Sequence, residues 1–194
     1  MLEIPDIRLA THADAHAIAA LSRDAIEHGL GWRYTPDRIR AAIHRRTTNV
    51  AVVHARGCVL AAGIMEYGDA SAHLVLLGVQ PSSRRRGLGR QLLGWLEACA
   101  ITAGLETVGV EVREDNPNAL AFYRSQGYRL LHRVPGYYRG MLDAVRLAKA
   151  LGTTKPVPGD DTLGEELRAI ASRAHKAQSM GVLTRPPGPS TGPA

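Results

Sequence analysis

The 194 residues, 45% of them hydrophobic, suffice to bury one substantial core and are short for two. No run of about 18 or more apolar residues occurs, and Met1-Leu2-Glu3-Ile4-Pro5 lacks the basic-then-apolar layout of a secretion signal, so the chain reads as cytoplasmic with no membrane partner. A formal net charge of +6 points to a polyanionic partner, but aromatic residues are only 5% and do not interleave with basic ones, which disfavours nucleic acid and favours a phosphate-bearing small molecule.

Ile7 to Leu9 reads as a short strand, and Ala13 to His28 as a helix with Ile18, Leu21 and Ile26 on one face, ended by Gly29. Trp32-Arg33-Tyr34 forms a loop, after which Thr35 caps and Pro36 opens a second helix running to about Arg46. Val50 to His54 and Val59 to Tyr67 are β-rich runs joined by a glycine turn, Ala55-Arg56-Gly57-Cys58. Gly68-Asp69 turns the chain into a third run, Ser71 to Gln80, which Pro81 stops. A helix through Leu92, Leu93, Leu96 and Ala100 follows and is capped by Gly104. Thr107 to Val112 alternates as a strand does, Asn116-Pro117 caps a helix to Ser125, and Gly127 stops it. Arg129 to Val134 and Met141 to Ala150 close the series as strands joined by Pro135-Gly136-Tyr137-Tyr138, with a helix over Val145 to Leu151 as the other reading.

From Gly152 the composition shifts to Gly, Pro, Ser and Thr. Residues 1–151 therefore read as one α/β (α+β) domain and 152–194 as an extension, with Thr162-x-x-Glu165 opening a short helix over 162–176 that spaces Leu163, Leu167, Ile170 and Ala174 helically. This tail carries five Lys/Arg against four Asp/Glu, so the positive excess belongs to the body. Cys58 and Cys99 lie in apolar stretches without CxxC spacing, as buried free thiols do. His12 and His16 stand four apart with no third ligand, so they read as surface histidines and no metal is expected.

The strongest local signal is Val79-Gln80-Pro81-Ser82-Ser83-Arg84-Arg85-Arg86-Gly87-Leu88-Gly89-Arg90, set between a strand and an apolar helix. A helix start offers unpaired N–H groups and a positive dipole, and glycines two apart let a pyrophosphate approach them without a Cβ in the way. Taken alone, the segment reads as a solvated basic turn. It lacks the lysine and hydroxyl of G-x-x-x-x-G-K-[ST] and the third glycine of G-x-G-x-x-G, so ATP and NAD are disfavoured.

The segment R-x-x-G-x-G, with Arg84 in its first position, resembles the acetyl-coenzyme A signature of the GNAT superfamily of N-acetyltransferases. Val110-Glu111-Val112-Arg113, Asn116, Ala119-Leu120-Ala121-Phe122-Tyr123 and Gly127-Tyr128 extend the likeness to the branch typified by the ribosomal-protein alanine N-acetyltransferase (RimI), across most of Leu74 to Tyr138. The resemblance implies a single domain with a mixed, mostly antiparallel sheet of about six or seven strands, helices on both faces, and strands 4 and 5 splayed apart. Acetyl-coenzyme A is implied as co-substrate, its arm pairing with the backbone of Leu77, Gly78 and Val79. The amides of Arg85, Arg86, Gly87, Leu88, Gly89 and Arg90 are implied to hold its diphosphate beside the Arg84 side chain, with Asn116 and Tyr123 as further contacts. One N–H near Leu77 to Val79 would meet the thioester oxygen.

Amine attack on a thioester needs a neutral nucleophile, whereas a lysine-type amine with pKa about 10.4 is almost wholly protonated at pH 7. An α-amine, pKa about 7.7 to 8.0, asks less of a base. Strand alternation points Glu111 away from the face of Val110 and Val112, and the resemblance makes it that base, often through water. It also makes Tyr123 the acid for the departing thiolate, since a phenol stays protonated at neutral pH. Read without the resemblance, Glu111 is a solvent-facing strand residue, Tyr123 a core aromatic and Asn116 a helix cap.

Trp32, Tyr34, Tyr137 and Tyr138 are the candidate acceptor contacts, with packing as their other reading. The Tyr137-Tyr138 pair is similar to that of N-terminal acetyltransferases, although Asp143 follows sooner than in those enzymes. The acceptor is expected to be a protein or peptide amine, an N-terminus or a lysine, and the enzyme a monomer or homodimer. A polyamine or antibiotic acceptor is the alternative, and a non-catalytic acyl-coenzyme A-binding or nucleic-acid-binding module is the competing class.

Overall fold

In the computed structural model, which describes residues 6–25, 33–138 and 142–152, the alternating runs of the sequence become seven strands of one sheet. The order along the chain is β1 (Asp6–Leu9), a 3-10 turn (His12–Asp14), α1 (Ala15–Ala25), α2 (Pro36–His44), β2 (Thr48–Ala55), β3 (Cys58–Tyr67) and β4 (Ser71–Val79). A second 3-10 turn (Pro81–Ser83) leads to α3 (Leu88–Thr102), β5 (Thr107–Arg113), α4 (Pro117–Ser125), β6 (Arg129–Tyr138) and β7 (Leu142–Ala150). The sheet runs β1-β2-β3-β4-β5-β7-β6, antiparallel throughout except for the parallel pair β4–β5 that the α3 crossover requires.

Period-two alternation sorts the strands into two cores. Ala51, Val53, Ala61, Met65, Leu74, Val108, Val110 and Leu147 face α3 and α4, where Leu92, Leu93, Leu96 and Tyr123 close over them. Val50, Val52, Ala62, Ile64 and Leu76 face α1 and α2, with Ile18 and Ile39 fully buried between. Gly63 lets α3 settle closely on the sheet, because a Cβ there would stand 2.7 Å from Leu96 Cδ1.

The turn chemistry holds in detail. Ala55 pairs with Cys58 across Arg56 (φ +51°) and Gly57 (φ +75°), a two-residue hairpin with both central residues left-handed, which matches the twist of the strands it joins. Thr35 Oγ1 accepts from Arg38 N–H at 3.5 Å, and Asn116 Oδ1 accepts from Ala119 N–H at 3.0 Å, each ahead of a proline at the first helical position.

Three expectations change. Tyr137 and Tyr138 belong to β6 itself, whose pairing with β7 runs to Tyr138↔Leu142, because β7 supplies partners beyond the glycine. Val145 to Ala150 is strand, as the first of the two readings had it, paired with β5 throughout and with β6 as far as Ala148. Cys58 is exposed, since it opens β3 directly after the hairpin turn, while Cys99 is buried. His12 lies in the 3-10 turn ahead of α1, so it does not share a helix face with His16; its ring packs edge-on against His44 at 4.3 Å, and His16 Nε2 lies 2.8 Å from Arg40. Ile26, Gly29, Trp32 and the helix expected over 162–176 lie outside the described residues. Among the described residues no helix is long and apolar enough to cross a membrane.

Candidate active site

The parallel ladder between β4 and β5 runs from Ser71↔Thr107 to Leu74↔Val110 and stops. Beyond it, Leu76 to Val79 stay on β3 and Glu111 to Arg113 stay on β7, so the facing edges of the two strands part. A bulge coincides with the parting: Met65 pairs with Leu74 and Ile64 with Leu76, leaving Val75 as the extra residue. The bulge re-phases β4, so that Ala72 and Leu74 before it, and Leu77 and Val79 after it, all meet the α3 core. Edges without a ladder expose backbone donors and acceptors that need partners.

At the C-terminal end of β4 the chain makes the 3-10 turn and enters α3 through Gly87 (φ +80°), a left-handed cap that a residue with a Cβ adopts only under strain. The first helical bond joins Gln91 N–H to Gly87 O at 3.0 Å, so the amides of Leu88, Gly89 and Arg90 precede the helical ladder. Arg84, Arg85, Arg86 and Arg90 stand exposed around this end, and Arg84 Nε donates to Val79 O at 3.3 Å. A Cβ on Gly89 would lie 3.4 Å from Val79 Cγ2 and 3.7 Å from Phe122 Cζ, so the helix end, the β4 terminus and α4 meet there. Leu77 and Val79 pack against the α3 core while Gly78 pairs with Ala62.

Glu111 lies just where β4 and β5 separate, on the face opposite Val110 and Val112, with its side chain only 3% exposed. Oε2 accepts from His73 Nε2 at 2.7 Å, and Oε1 accepts from Arg146 Nε at 2.6 Å, Arg146 being its direct cross-strand partner on β7. Burial alone would raise the carboxyl's pKa, but the hydrogen bonds and positive charge of His73 and Arg146 outweigh it and hold the group below its ordinary value. Glu111 is therefore a carboxylate across the neutral range.

The tyrosines converge on this carboxylate. Tyr137 is raised by burial first, then by the Glu111 charge and a hydrogen bond to it, while Tyr138 is pushed up to about 12 by burial, Tyr137 and Glu111. Tyr123, buried on the α3 side beside Phe122 and Tyr128, is raised above the usual phenol range by burial and by Tyr138. Both Tyr137 and Tyr138 feel the charge of Arg33 from the loop before α2. Tyr34 instead packs against the α1–α2 core. Asn116 caps α4 at the surface.

Sequence reasoning missed His73 and Arg146. Each is one polar residue in an alternating strand, and only the β4–β5–β7 register places them on Glu111. A recess of about 340 Å³ lined by Glu114, Asp115, Leu142 and Asp143 lies beyond the end of β5. Each of its carboxylates is already paired: Arg133 bridges Glu114 and Asp143, Arg113 pairs with Asp115 at 2.6 Å, and Asp143 also accepts from Gly136 N–H at 2.8 Å.

Residues 17–128 match the model of the acetyltransferase (GNAT) family, and the chain belongs to that family. Among its relatives, the N-terminal acetyltransferase B complex catalytic subunit naa20 of Schizosaccharomyces pombe is 38% identical over 66 residues, 34% of this chain and 37% of that protein. The [ribosomal protein bS18]-alanine N-acetyltransferase of Salmonella typhimurium is 39% identical over 80 residues, 40% of this chain and 54% of that protein. The chain thus matches about half or less of the length of these relatives. The PaiA N-acetyltransferase of Thermoplasma acidophilum in complex with coenzyme A has the same fold, with a TM-score of 0.67 at 15% identity over 76% of this chain and 99% of that one.

Proposed function

We propose that this chain is an acetyl-coenzyme A-dependent N-acetyltransferase that acetylates a primary amine by direct attack, the acceptor being a protein N-terminal α-amine or a lysine. The observation that carries the reading is the gap between β4 and β5, which has the free amides of the α3 start at one end and the buried carboxylate of Glu111 at the other. The residues present fit the cofactor: unladdered strand edges suit the amides of a pantetheine arm, and the glycine-started helix end with its arginines suits a diphosphate. Bound there, acetyl-coenzyme A supplies an activated acyl group with a thiolate leaving group.

In this reading the backbone of Leu77, Gly78 and Val79 binds the arm, and the amides from Arg85 to Arg90, with the Arg84 side chain, hold the diphosphate. Asn116 is taken as a further contact for the cofactor. Glu111 draws the proton from the attacking amine, and Tyr123, on the other face of the parted sheet, gives its phenolic proton to sulfur. The two faces suit a reaction with two substrates, one approaching from the α3 side and one from the side of Glu111. Tyr137 and Tyr138 beside Glu111 support an acceptor that offers a peptide backbone, as do two relatives named for N-terminal and ribosomal-protein alanine acetylation. The pairing of every carboxylate in the acidic recess weighs against a polyamine.

Thiol release from acetyl-coenzyme A with short peptides, a lysine peptide and polyamines tests this reading. Glu111→Gln should lower kcat by about 10²- to 10⁴-fold while calorimetry finds coenzyme A affinity unchanged. Wild-type protein that binds coenzyme A yet releases no thiol with any acceptor would favour a sensor instead.

A further inference from the structure

The face of the sheet that carries Glu111 continues past the helices that cover it. The core under α1 and α2 draws its strand residues from β2, β3 and β4 alone, so it ends where β5, β7 and β6 begin. Val108, Val110, Val112, Val145 and Leu147 turn to the α3 core, which sends Gly109, Glu111, Arg146 and Ala148 to the other side. Gly109 pairs with Ala148 and Glu111 with Arg146, while on β6 Arg129 stands opposite Ala148 and His132 opposite Arg146. Directly opposed residues of an antiparallel pair share a face. Arg129 and His132 are three apart and would lie on opposite faces of an unbroken strand. The bulge at Leu131, between the pairs Leu130↔Leu147 and His132↔Arg146, re-phases β6 and brings both to the face of Glu111.

The result is a shallow floor of two small, half-buried residues, Gly109 and Ala148, with exposed Arg129 and His132 on one side and Arg146, 45% exposed, beside them. The carboxylates of this face are engaged already. Glu111 is held by His73 and Arg146, and Glu66, beyond His73, pairs with Arg45 at 3.1 Å. Among the described residues neither Arg129 nor His132 meets a carboxylate. The region therefore carries positive charge and hydrogen-bond donors in excess of the acidic groups around it.

We infer that this face seats the acceptor peptide beyond its amine and selects acidic side chains at about the third to fifth residue, counted from the acetylated one. The inference deepens the acetyl-transfer reading and rests on it, since that reading puts the amine at Glu111. From Glu111 across β7 to β6 is about 10 Å, two strand spacings, and an extended peptide covers about 3.3 Å per residue. A chain that starts at Glu111 and crosses β7 thus brings its third to fifth residues among Arg146, Arg129 and His132. The small floor lets the peptide lie close, and an arginine fork suits a carboxylate that accepts two hydrogen bonds. Basic side chains would meet like charge there. The place of this surface beside the amine site, rather than its charge alone, argues for the acceptor peptide over a nucleic acid.

The test takes the peptide that wild type turns over best, keeps its residues up to the third, and places Glu-Glu, Gln-Gln or Lys-Lys at the next two positions. In the thiol-release assay wild type should show kcat/KM about 10-fold higher for Glu-Glu than for Gln-Gln, through KM, and lowest for Lys-Lys. The difference should fade as salt rises from about 0.05 to 0.5 M. Arg129→Gln should shrink the preference by about 2- to 5-fold, and Arg129→Glu should abolish it. The preference is a ratio taken within one protein, so a general loss of activity or folding cancels from it. Equal kcat/KM for the three peptides in wild type, or a preference that survives in Arg129→Glu, overturns the inference and leaves the acetyl-transfer reading standing. So does an oligouridylate that binds wild type but not Arg129→Glu while the peptides are not distinguished, because the face then serves a nucleic acid. A wild type that releases no thiol with any acceptor overturns both.

Discussion

Asp14 shows how one side chain can set an entry to the fold. Its carboxylate accepts from the Arg8 guanidinium at 2.8 and 3.0 Å and from Thr11 N–H at 2.7 Å, tying β1 to the turn before α1. The hydrogen bond from Arg8, opposed by burial and aided by Thr11, lowers its pKa to about 2, against about 3.9 for a free aspartate. Because the folded value is depressed, the contribution is complete above about pH 4 and is lost as pH falls towards 2. Asp14→Asn should cost about 2 kcal/mol in urea titrations at pH 7, and the difference should shrink as the pH is lowered from 4. Tyr123 obeys the opposite logic: burial raises it, so it stays a proton donor throughout the neutral range. Tyr123→Phe should lower kcat by about 10²- to 10⁴-fold without weakening coenzyme A binding in calorimetry.

The α3 helix carries two separable duties. Leu92, Leu93 and Leu96 are fully buried along its length, and Leu96 nests over Gly63. Leu96→Ala should destabilise the protein by about 2–5 kcal/mol, read from chemical denaturation, because the cavity cannot close against a sheet on one side and a helix on the other. The first turn has the second duty. At Gly89 even a Cβ would sit 3.4 Å from Val79 Cγ2, so the methyls of Gly89→Val must crowd the mouth of the gap or shift the helix end. Coenzyme A affinity should fall by about 10-fold or more in calorimetry, with a smaller change in stability. That an apolar helix follows the glycine-bearing segment was readable from Gly87, Gly89 and the leucine spacing, since both signals are local.

The described molecule closes its sheet at Leu151, buried and bonded through its N–H to Glu106 O at 2.7 Å. The net charge of +6 adds a long-range pull on an anionic cofactor, screened by salt over about 10 Å at 0.1 M.

Much of this architecture was legible in the linear chain. Strand alternation, proline after a capping Thr35 or Asn116, and Arg-x-x-Gly-x-Gly between strand and helix depend on residues a few positions apart, and each became the element or turn its local chemistry favours. The direction of Glu111 followed from the same short-range rules, whereas the loop was legible through its resemblance to a family signature. Tertiary structure alone decided which side chains meet. His73 touches Glu111 across 38 positions because α3 brings β5 alongside β4 in one register, and Arg146 completes the carboxylate only because β7 inserts between β5 and β6. The placement of Tyr137 and Tyr138 in β6 likewise depended on partners that β7 supplied. A strand's face can be read from its own period, but its neighbours and its register are set by the packing of the whole sheet.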